Sequence, residues 1–302
     1  MTALSVLGQL VDVAALLALP PLLIGVINRV KAIAGGRRGQ PLLQPYFDLA
    51  RLVRKGMVFS TTTTWVFRAA PVVTLLATLL AGLFLPLGPG EALFGFEGDL
   101  VLVAYLFALG RFFTTTAALD TGSPFEGMGA AREVTYAFLA EPAVFFVLLS
   151  LARLSGSLSL DTMLLAPAAG HEATLVLAAA GLFFVLLVEC SRVPFDDPNT
   201  HLELTMIHEV MVLDHSGPLF GAILYGAAMK LFVLGTLLSR AILPAFDSPW
   251  VGRGVTFAAL LGVAVLIGLV ESTTARVRLA RIPNLIAGAT LVTAFGFLLM
   301  VR

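Results

Sequence analysis

The chain has 302 residues, of which 58% are hydrophobic and only 13% are charged, and its mean hydropathy is +0.96. A soluble domain is about 45–50% apolar and about 25% charged, so this composition excludes an ordinary soluble protein and predicts a polytopic helical membrane protein. The 19 basic residues balance the 19 acidic ones, which gives no indication of a nucleic-acid partner. Cys190 is the single cysteine, which excludes a disulfide within the chain and a zinc or iron–sulfur centre bound by cysteines.

Eight apolar segments approach or reach the roughly 20 residues that an α-helix needs to cross a bilayer. We therefore predict an all-α fold of about eight transmembrane helices in a single integral-membrane domain, residues 1–302. No internal repeat or low-complexity linker marks a second domain. The first basic residue is Arg29, so we expect the first span to be a retained helix rather than a signal peptide. The predicted spans are residues 7–28, 66–85, 100–119, 136–152, 173–190, 219–240, 253–271 and 283–301.

Basic residues are distributed unevenly between the loops that connect these spans. The loops after the first, third, fifth and seventh spans carry 13 of the 19 lysines and arginines, and the opposite side carries four. The positive-inside rule then predicts that the odd-numbered loops face the cytoplasm and that both termini lie on the outer, periplasmic side. The remaining two basic residues, Arg111 and Lys230, fall inside spans.

The first predicted loop, NRVKAIAGGRRGQPLLQPYFDLARLVRKG, is basic, and its second half is amphipathic. One interpretation is that this loop sets the topology and contacts lipid headgroups. The other is that it forms a docking face for a soluble partner. Basic residues alone do not distinguish the two, so both interpretations stay open.

Ionisable residues lie within or close to the edges of the apolar spans, and such a group costs at least about 2.5–3.5 kcal/mol at the bilayer centre. One interpretation is structural: Arg111 pairs with Glu141 between two helices, and Glu189 reaches the membrane interface. The other is a proton or ion path in which Glu141 and Lys230 relay charge. Glu189 and Glu271 lie at the ends of the fifth and seventh spans, which favours the structural interpretation for these two.

The segment VPFDDPNTHLELTMIHEVMVLDHSG, residues 193–217, holds five carboxylates and three histidines but no lysine or arginine. Pro194 and Pro198 prevent a regular helix at its start. From Thr200 the pattern is helical, and Gly217 and Pro218 would end this helix and begin the sixth span.

The three histidines of this segment recur every seven residues, which would place them on one helix face. Neighbouring histidines would then lie about 10.5 Å apart along the helix, too far to share one metal ion. His208 beside Glu209 has the chemistry for proton transfer, because histidine titrates near neutral pH. The spacing by itself favours the alternative, an amphipathic helix at the membrane surface with satisfied polar groups.

Four stretches resemble the membrane subunit that respiratory complex I (its H subunit) shares with the energy-converting group 4 nickel–iron (NiFe) hydrogenases, including formate hydrogenlyase. They lie in register with the predicted spans, and the resemblance covers most of the chain. The most specific of the four covers residues 189–217. The stretches are RRGQPLLQPYFDLARLVRK (37–55), ALDTGSPFEGMGAAREVTYAFLAEP (118–142), ECSRVPFDDPNTHLELTMIHEVMVLDHSG (189–217) and YGAAMKLFVLGTLLSRAILP (225–244).

The resemblance to the complex I subunit runs through VPFDDP and then departs, because that subunit continues with a glutamate-rich, glycine-containing stretch at the quinone entry. Here the chain continues NTHLELTMIHE, which, like LDTGSPFEGMGAAREV, resembles the hydrogenase branch. The resemblance therefore implies a subunit that anchors a soluble redox arm and joins it to antiporter-like subunits. The alternatives are the quinone-chamber subunit of an NADH:quinone oxidoreductase and an independent secondary transporter, although the repeated halves of many transporters are not found.

The resemblance also implies cofactors and partners. The chain itself would hold no cofactor, and NiFe and iron–sulfur centres would lie in partner subunits. No phosphate-binding loop, GxSxG or HExxH motif occurs, so we expect no self-contained catalytic site in this subunit of an oxidoreductase complex. The implied partners are a NiFe hydrogenase large subunit, a small iron–sulfur subunit, a ferredoxin-like subunit and antiporter-like subunits, in the lipid bilayer of the inner membrane.

Two groups of site residues follow from the resemblance. The proton or ion path is expected to contain Glu141, Lys230, Arg111, Glu189, His208 and Glu209. The docking loop for the soluble arm is expected to contain Arg192, Asp196, Asp197, His201, Glu203, Arg37, Arg38 and Asp48.

Overall fold

The structure is a computed structural model that describes residues 3–88, 92–165, 171–196, 206–244, 246 and 248–301. All regular secondary structure in these residues is helical, which confirms the predicted all-α fold. Short 3-10 helices occur at Glu209–Val212 and Leu279–Arg281. The α-helices are α1 (Ala3–Ala18), α2 (Pro20–Ala34), α3 (Gln44–Val53), α4 (Trp65–Leu83), α5 (Asp99–Asp120), α6 (Pro124–Ser155), α7 (Leu160–Met163), α8 (Glu172–Glu189), α9 (Gly217–Ile242), α10 (Pro249–Thr273) and α11 (Ile282–Val301).

Seven helices in the described part of the chain are long and apolar enough to cross a membrane: α4, α5, α6, α8, α9, α10 and α11. The pair α1 and α2 makes an eighth span when its two halves are counted together. The protein is therefore a multi-pass membrane protein, and the prediction of about eight spans is confirmed.

The first predicted span, residues 7–28, is not one straight helix. α1 and α2 meet at Leu19 with a bend of 52° between their axes. Pro20 and Pro21 explain the break, because a proline has no N–H for the helix ladder and its ring clashes with the preceding turn.

The break frees carbonyl oxygens in an apolar environment, where every backbone polar group needs a partner. Pro21 has no N–H to donate to the carbonyl of Leu17, four residues earlier. The carbonyl of Ala18 also lacks its helical donor, because the amide of Leu22 donates to Leu19 O instead. Tyr225 of α9 donates its hydroxyl to Leu17 O over 2.6 Å, and Tyr46 of α3 donates to Ala18 O. Two tyrosines from other helices therefore hold the bend.

Helix α6 is much longer than the predicted fourth span, residues 136–152. It contains 32 residues and is about 48 Å long at 1.5 Å per residue. It begins with Pro124 at its first position, where the missing N–H costs nothing, and Gly156 ends it in a left-handed conformation with φ 70°. The polar residues before position 136 are therefore helical, and they enter the bundle.

The helix predicted from residue 200 onward is wrong in the part of this segment that the structure describes. Residues 206–216 contain only the 3-10 helix Glu209–Val212, flanked by turns. Its apolar side chains are buried, and Val210 and Met211 pack so closely against Gly129 of α6 that a Cβ there would clash with Val210. The segment is packed into the protein, and the amphipathic surface helix is not formed here.

Helix α9 lies at the centre of the packing. It contacts α2, α3, α4, α8 and α10, and an almost continuous stretch from Ala228 to Arg240 is buried. Helices α5 and α8 both pack against α6, and α8 also packs against α9. This arrangement directs one face of each of α5, α6, α8 and α9 to a common interior region.

Candidate functional site

Four charged side chains, one from each of four helices, meet inside the bundle. Arg111 of α5 lies 3.2 Å from Glu141 of α6 and 2.5 Å from Glu189 of α8. Lys230 of α9 lies 2.7 Å from the second carboxylate oxygen of Glu189. The predicted contact between Arg111 and Glu141 is present, and Glu189 extends it to Lys230. We call these four residues the charged cluster.

Burial differs sharply between the two glutamates of the charged cluster. The side chain of Glu189 is 9% exposed, whereas that of Glu141 is 47% exposed. A buried carboxylate needs compensating charge and hydrogen bonds, and Glu189 obtains both from Arg111 and Lys230. Glu141 is within reach of solvent, lipid or a neighbouring subunit, so it forms the accessible end of the cluster.

Glu133 is a further charged residue that the sequence analysis missed. It lies on α6, is partly buried, and shares the wall of one cavity with Glu189 and Lys230. The predicted fourth span began at residue 136, so Glu133 was assigned to a loop. The available signal was the helical continuity of EGMGAAREV, which contains no residue that breaks a helix apart from glycine.

A cavity of about 80 Å³ opens beside the charged cluster. This volume holds several waters, since one water needs about 10–15 Å³ on this measure. The hydroxyl of Thr74 in α4 donates to Gly110 O over 3.1 Å and lies 3.1 Å from the hydroxyl of Thr114 in α5. The polar lining residues are Thr74, Thr78, Arg111, Thr114, Glu133, Glu189, Cys190, Ser191, His208, His215 and Lys230.

His208 and His215 close the cavity on the side of the 206–216 segment. Burial lowers the pKa of both imidazoles from the ordinary value of 6.5, and Lys230 lowers the pKa of His208 further. Both side chains are therefore neutral near pH 7 and can accept a proton. Glu209, also predicted for this path, is half-buried and lies outside the described lining of the cavity.

A second group of charges ties the end of α8 to α2 and α10. Glu271 of α10 lies 2.7 Å from Lys31 of α2 and 3.4 Å from Arg192, which follows α8. The carboxylate of Glu271 is fully buried and receives two cations, as Glu189 does. In the structural interpretation, the carboxylate of Glu271 therefore joins three segments of the chain.

Asp196 fixes the start of the 206–216 segment. One of its carboxylate oxygens lies 3.0 Å from Arg276, and the other accepts the amides of Ile207 and His208 over 3.1 Å each. The side chain of Asp196 is 1% exposed. Because His208 lines the cavity, the geometry of this carboxylate sets the position of the cavity wall.

The predicted docking residues are divided between the interior and the surface. Arg192 and Asp196 are buried within the chain, so their side chains hold the loop and present no free surface. Arg37 and Arg38 are exposed, and Asp48 lies on α3 with its carboxylate 2.9 Å from the Gln44 amide. Asp197, His201 and Glu203 lie outside the described residues.

Potential metal ligands are scattered through the bundle. Within the described residues, no three of His, Cys, Asp or Glu are grouped so as to hold a metal ion. The described site consists of carboxylates, imidazoles and cations beside a cavity that can hold water.

The sequence of residues 8–302 matches the family described as NADH dehydrogenase. The chain belongs to this family. It is 32% identical to hydrogenase-4 component C of Escherichia coli (strain K12) over 282 residues, which cover 90% of this chain and 89% of that protein. It is 31% identical to formate hydrogenlyase subunit 4 of the same organism, over 93% of this chain and 94% of that protein.

A subunit of a quinone oxidoreductase matches a shorter part of the chain. The H subunit of the NADH-quinone oxidoreductase from Bordetella petrii is 29% identical over 71% of this chain and 62% of that protein. A chain of the membrane-bound sulfane sulfur reductase, an archaeal respiratory membrane complex, superposes with a TM-score of 0.83 over 98% of this chain and 99% of its own length. At 21% identity this last likeness concerns the fold alone.

Proposed function

We propose that this chain is the membrane-anchoring and coupling subunit of a multisubunit energy-converting NiFe hydrogenase or formate hydrogenlyase complex in the inner membrane. The likeness to two hydrogenase-type subunits over at least 90% of the chain supports this proposal. The NiFe and iron–sulfur centres would lie in a large subunit, a small iron–sulfur subunit and a ferredoxin-like subunit. Antiporter-like subunits would be the neighbours within the membrane.

The observation that carries the coupling role is the position of Glu189 between Arg111 and Lys230 at the wall of a cavity large enough for water. Ionised groups inside a membrane protein commonly mark ion or proton paths. Protonation of Glu141 would remove one acceptor from Arg111 and leave an excess of positive charge in the charged cluster. That excess would favour release of a proton elsewhere along the cavity wall, which is the elementary step of a relay.

Docking of the soluble arm is assigned to the side of the first loop and the 189–217 segment, which the positive-inside rule places in the cytoplasm. Arg37 and Arg38 are exposed there, and both charges are free to meet an acidic partner surface. The buried Asp196 then links that side of the protein to the cavity, because it holds the His208 amide.

The alternative is a quinone-chamber subunit, and two observations weigh against it. The match to quinone-oxidoreductase subunits covers 71% of the chain, and the cavity of about 80 Å³ is below the roughly 300–1,000 Å³ of pockets that enclose drug-sized ligands. An independent transporter would have to move ions as an isolated chain in liposomes.

Affinity purification of the tagged chain from native membranes, followed by mass spectrometry and metal analysis, tests the proposal. We expect a large hydrogenase subunit, iron–sulfur proteins and nickel to co-purify. A nickel-free assembly with flavin and bound quinone would assign the chain to the quinone oxidoreductases instead. A chain that purifies alone and intact would contradict both assignments.

A further inference from the structure

The carbonyl of Phe67 in α4 lacks its normal helical partner. The residue four positions later is Pro71, which has no N–H to donate. His215 supplies the missing donor, since its Nε2 lies 3.2 Å from Phe67 O. The imidazole also stacks on the ring of Phe67, with 3.8 Å between centroids and 20° between planes.

These contacts fix the tautomer of His215. A carbonyl oxygen only accepts, so Nε2 carries the hydrogen, and in the neutral ring Nδ1 is then a bare acceptor. Nδ1 is buried and has no hydrogen-bond partner. The residue is 8% exposed and lines the cavity beside the charged cluster, whose volume is large enough to hold water.

We propose that His215 is a proton-storage site of this cavity, with hydronium as its proton donor. Nδ1 forms an N–H bond as an O–H bond of a hydronium ion breaks, which leaves a neutral water. Release reverses the step at the same nitrogen, because the other proton stays on Nε2, which donates it to the Phe67 carbonyl. This inference rests on the proposed coupling function and adds a residue that stores charge to those that relay it.

The charges around His215 come from several elements. The neighbouring Asp214 lies on the same segment, and its backbone amide donates over 3.2 Å to Glu126 of α6, a carboxylate that is 1% exposed. The charge of Asp214 favours an imidazolium. The other titratable and charged groups of the cavity are Arg111 of α5, Glu133 of α6, Glu189 and Cys190 of α8, His208 of the loop and Lys230 of α9.

The charges of these groups determine when His215 binds the proton and when it releases it. Burial and the two cations of the cavity oppose a charge on the imidazole, whereas the carboxylates of Glu133 and Glu189 favour it. A change in the charge of the carboxylates therefore changes the occupancy of Nδ1. His215 would take up a proton when the cluster becomes more negative and would lose it when the cluster becomes more positive.

The test is infrared difference spectroscopy of the intact complex, reduced against oxidised, with histidine isotopically labelled. His215→Gln keeps a nitrogen that can donate to Phe67 O but cannot titrate, and His171→Gln changes an exposed histidine outside the cavity lining. We expect a labelled imidazolium band in the wild type that is lost in His215→Gln and kept in His171→Gln. The absence of this band from the wild type, or its survival in His215→Gln, would overturn the inference.

If His215→Gln fails to assemble, His215→Phe keeps the ring stack on Phe67 and allows the same subtraction. Coupled ion movement in Glu141→Gln, which is expected to assemble, is measured in parallel. Loss of coupling in this variant without a histidine band in the wild type would refute storage at His215 and leave the proposed function standing. Normal coupling in this variant would refute the relay itself.

Discussion

Lys230 Nζ lies 2.7 Å from one carboxylate oxygen of Glu189, inside the membrane and opposite the oxygen that Arg111 occupies. Glu189 thus forms an ion pair with both cations of the charged cluster. Its replacement would leave two cations in the interior with one half-exposed counter-charge in that cluster.

We therefore expect Glu189→Gln to destabilise the protein strongly. Loss of one partner from a buried ion pair typically costs about 3–5 kcal/mol. The thermal unfolding midpoint of the purified complex and the yield of intact complex measure this effect. Glu189→Gln combined with Lys230→Met should recover part of the loss, because it removes one of the stranded cations. A single variant as stable as the wild type would show that the cluster is solvated.

Glu141→Gln should behave differently, because the Glu141 side chain is 47% exposed. An ion pair of this kind contributes about 0–1 kcal/mol, so we expect the complex to assemble with nearly unchanged stability. Coupling of redox turnover to ion movement should fall, because a titratable group at the accessible end of the cluster is lost. Turnover and ion movement in sealed vesicles measure this, and unchanged values of both would make Glu141 purely structural.

Asp196→Asn should loosen the 206–216 segment. An asparagine has one acceptor oxygen in place of two, so it cannot satisfy Arg276 and both amides of Ile207 and His208. An unsatisfied buried group costs about 1–3 kcal/mol, which is roughly a 5- to 150-fold increase in local opening. Hydrogen–deuterium exchange of the 206–212 peptide measures it. Asp48→Asn on the exposed α3 is the control and should leave this peptide unchanged.

The two cavity histidines should make stability depend on pH. Burial lowers the pKa of His208 and His215 below 6.5, so between the folded and unfolded pKa values the unfolded chain binds more protons. Stability is then full above the unfolded pKa and falls as the pH drops below about 6.5. Thermal midpoints measured at about pH 8 and about pH 5 should differ less in the His208→Gln, His215→Gln double variant. An unchanged difference would assign the effect to other groups.

Tyr225→Phe should weaken the bend between α1 and α2. The variant removes the donor that serves Leu17 O and leaves a carbonyl unsatisfied in an apolar setting. We expect a loss of about 1–3 kcal/mol. Tyr105→Phe is the matched control, since Tyr105 is 70% exposed. Equal thermal midpoints for the two variants would mean that water or lipid replaces the missing hydroxyl.

The transmembrane helices could be predicted from the sequence because hydrophobicity is a local property. The ends of α8 and α11 fall within one residue of the prediction. The start of α6 could not be found this way, because its first twelve residues are polar enough to resemble a loop. They form a helix that begins with Pro124 and packs against the 206–216 segment, a contact far away in the sequence.

The candidate site could also be predicted only in part, because local sequence indicates its ionisable residues but not all of their contacts. The ionisable residues of the apolar spans were visible as anomalies, and Arg111 does contact Glu141. The partners of Glu189 could not be predicted, since its contacts depend on α5 and α9 converging on the end of α8. The bond between His215 and Phe67 joins residues 148 positions apart, and no local pattern indicates it.

The hydroxyl of Tyr46 connects the exterior to the interior of this protein. It belongs to α3, in the first loop, and its acceptor is a carbonyl at the proline break of the first span. A subunit that displaced α3 would therefore break the hydrogen bond to the Ala18 carbonyl. In the apolar interior of a membrane this carbonyl would find no water to replace the Tyr46 hydroxyl. The same hydrogen bond therefore ties the position of α3 to the bend between α1 and α2.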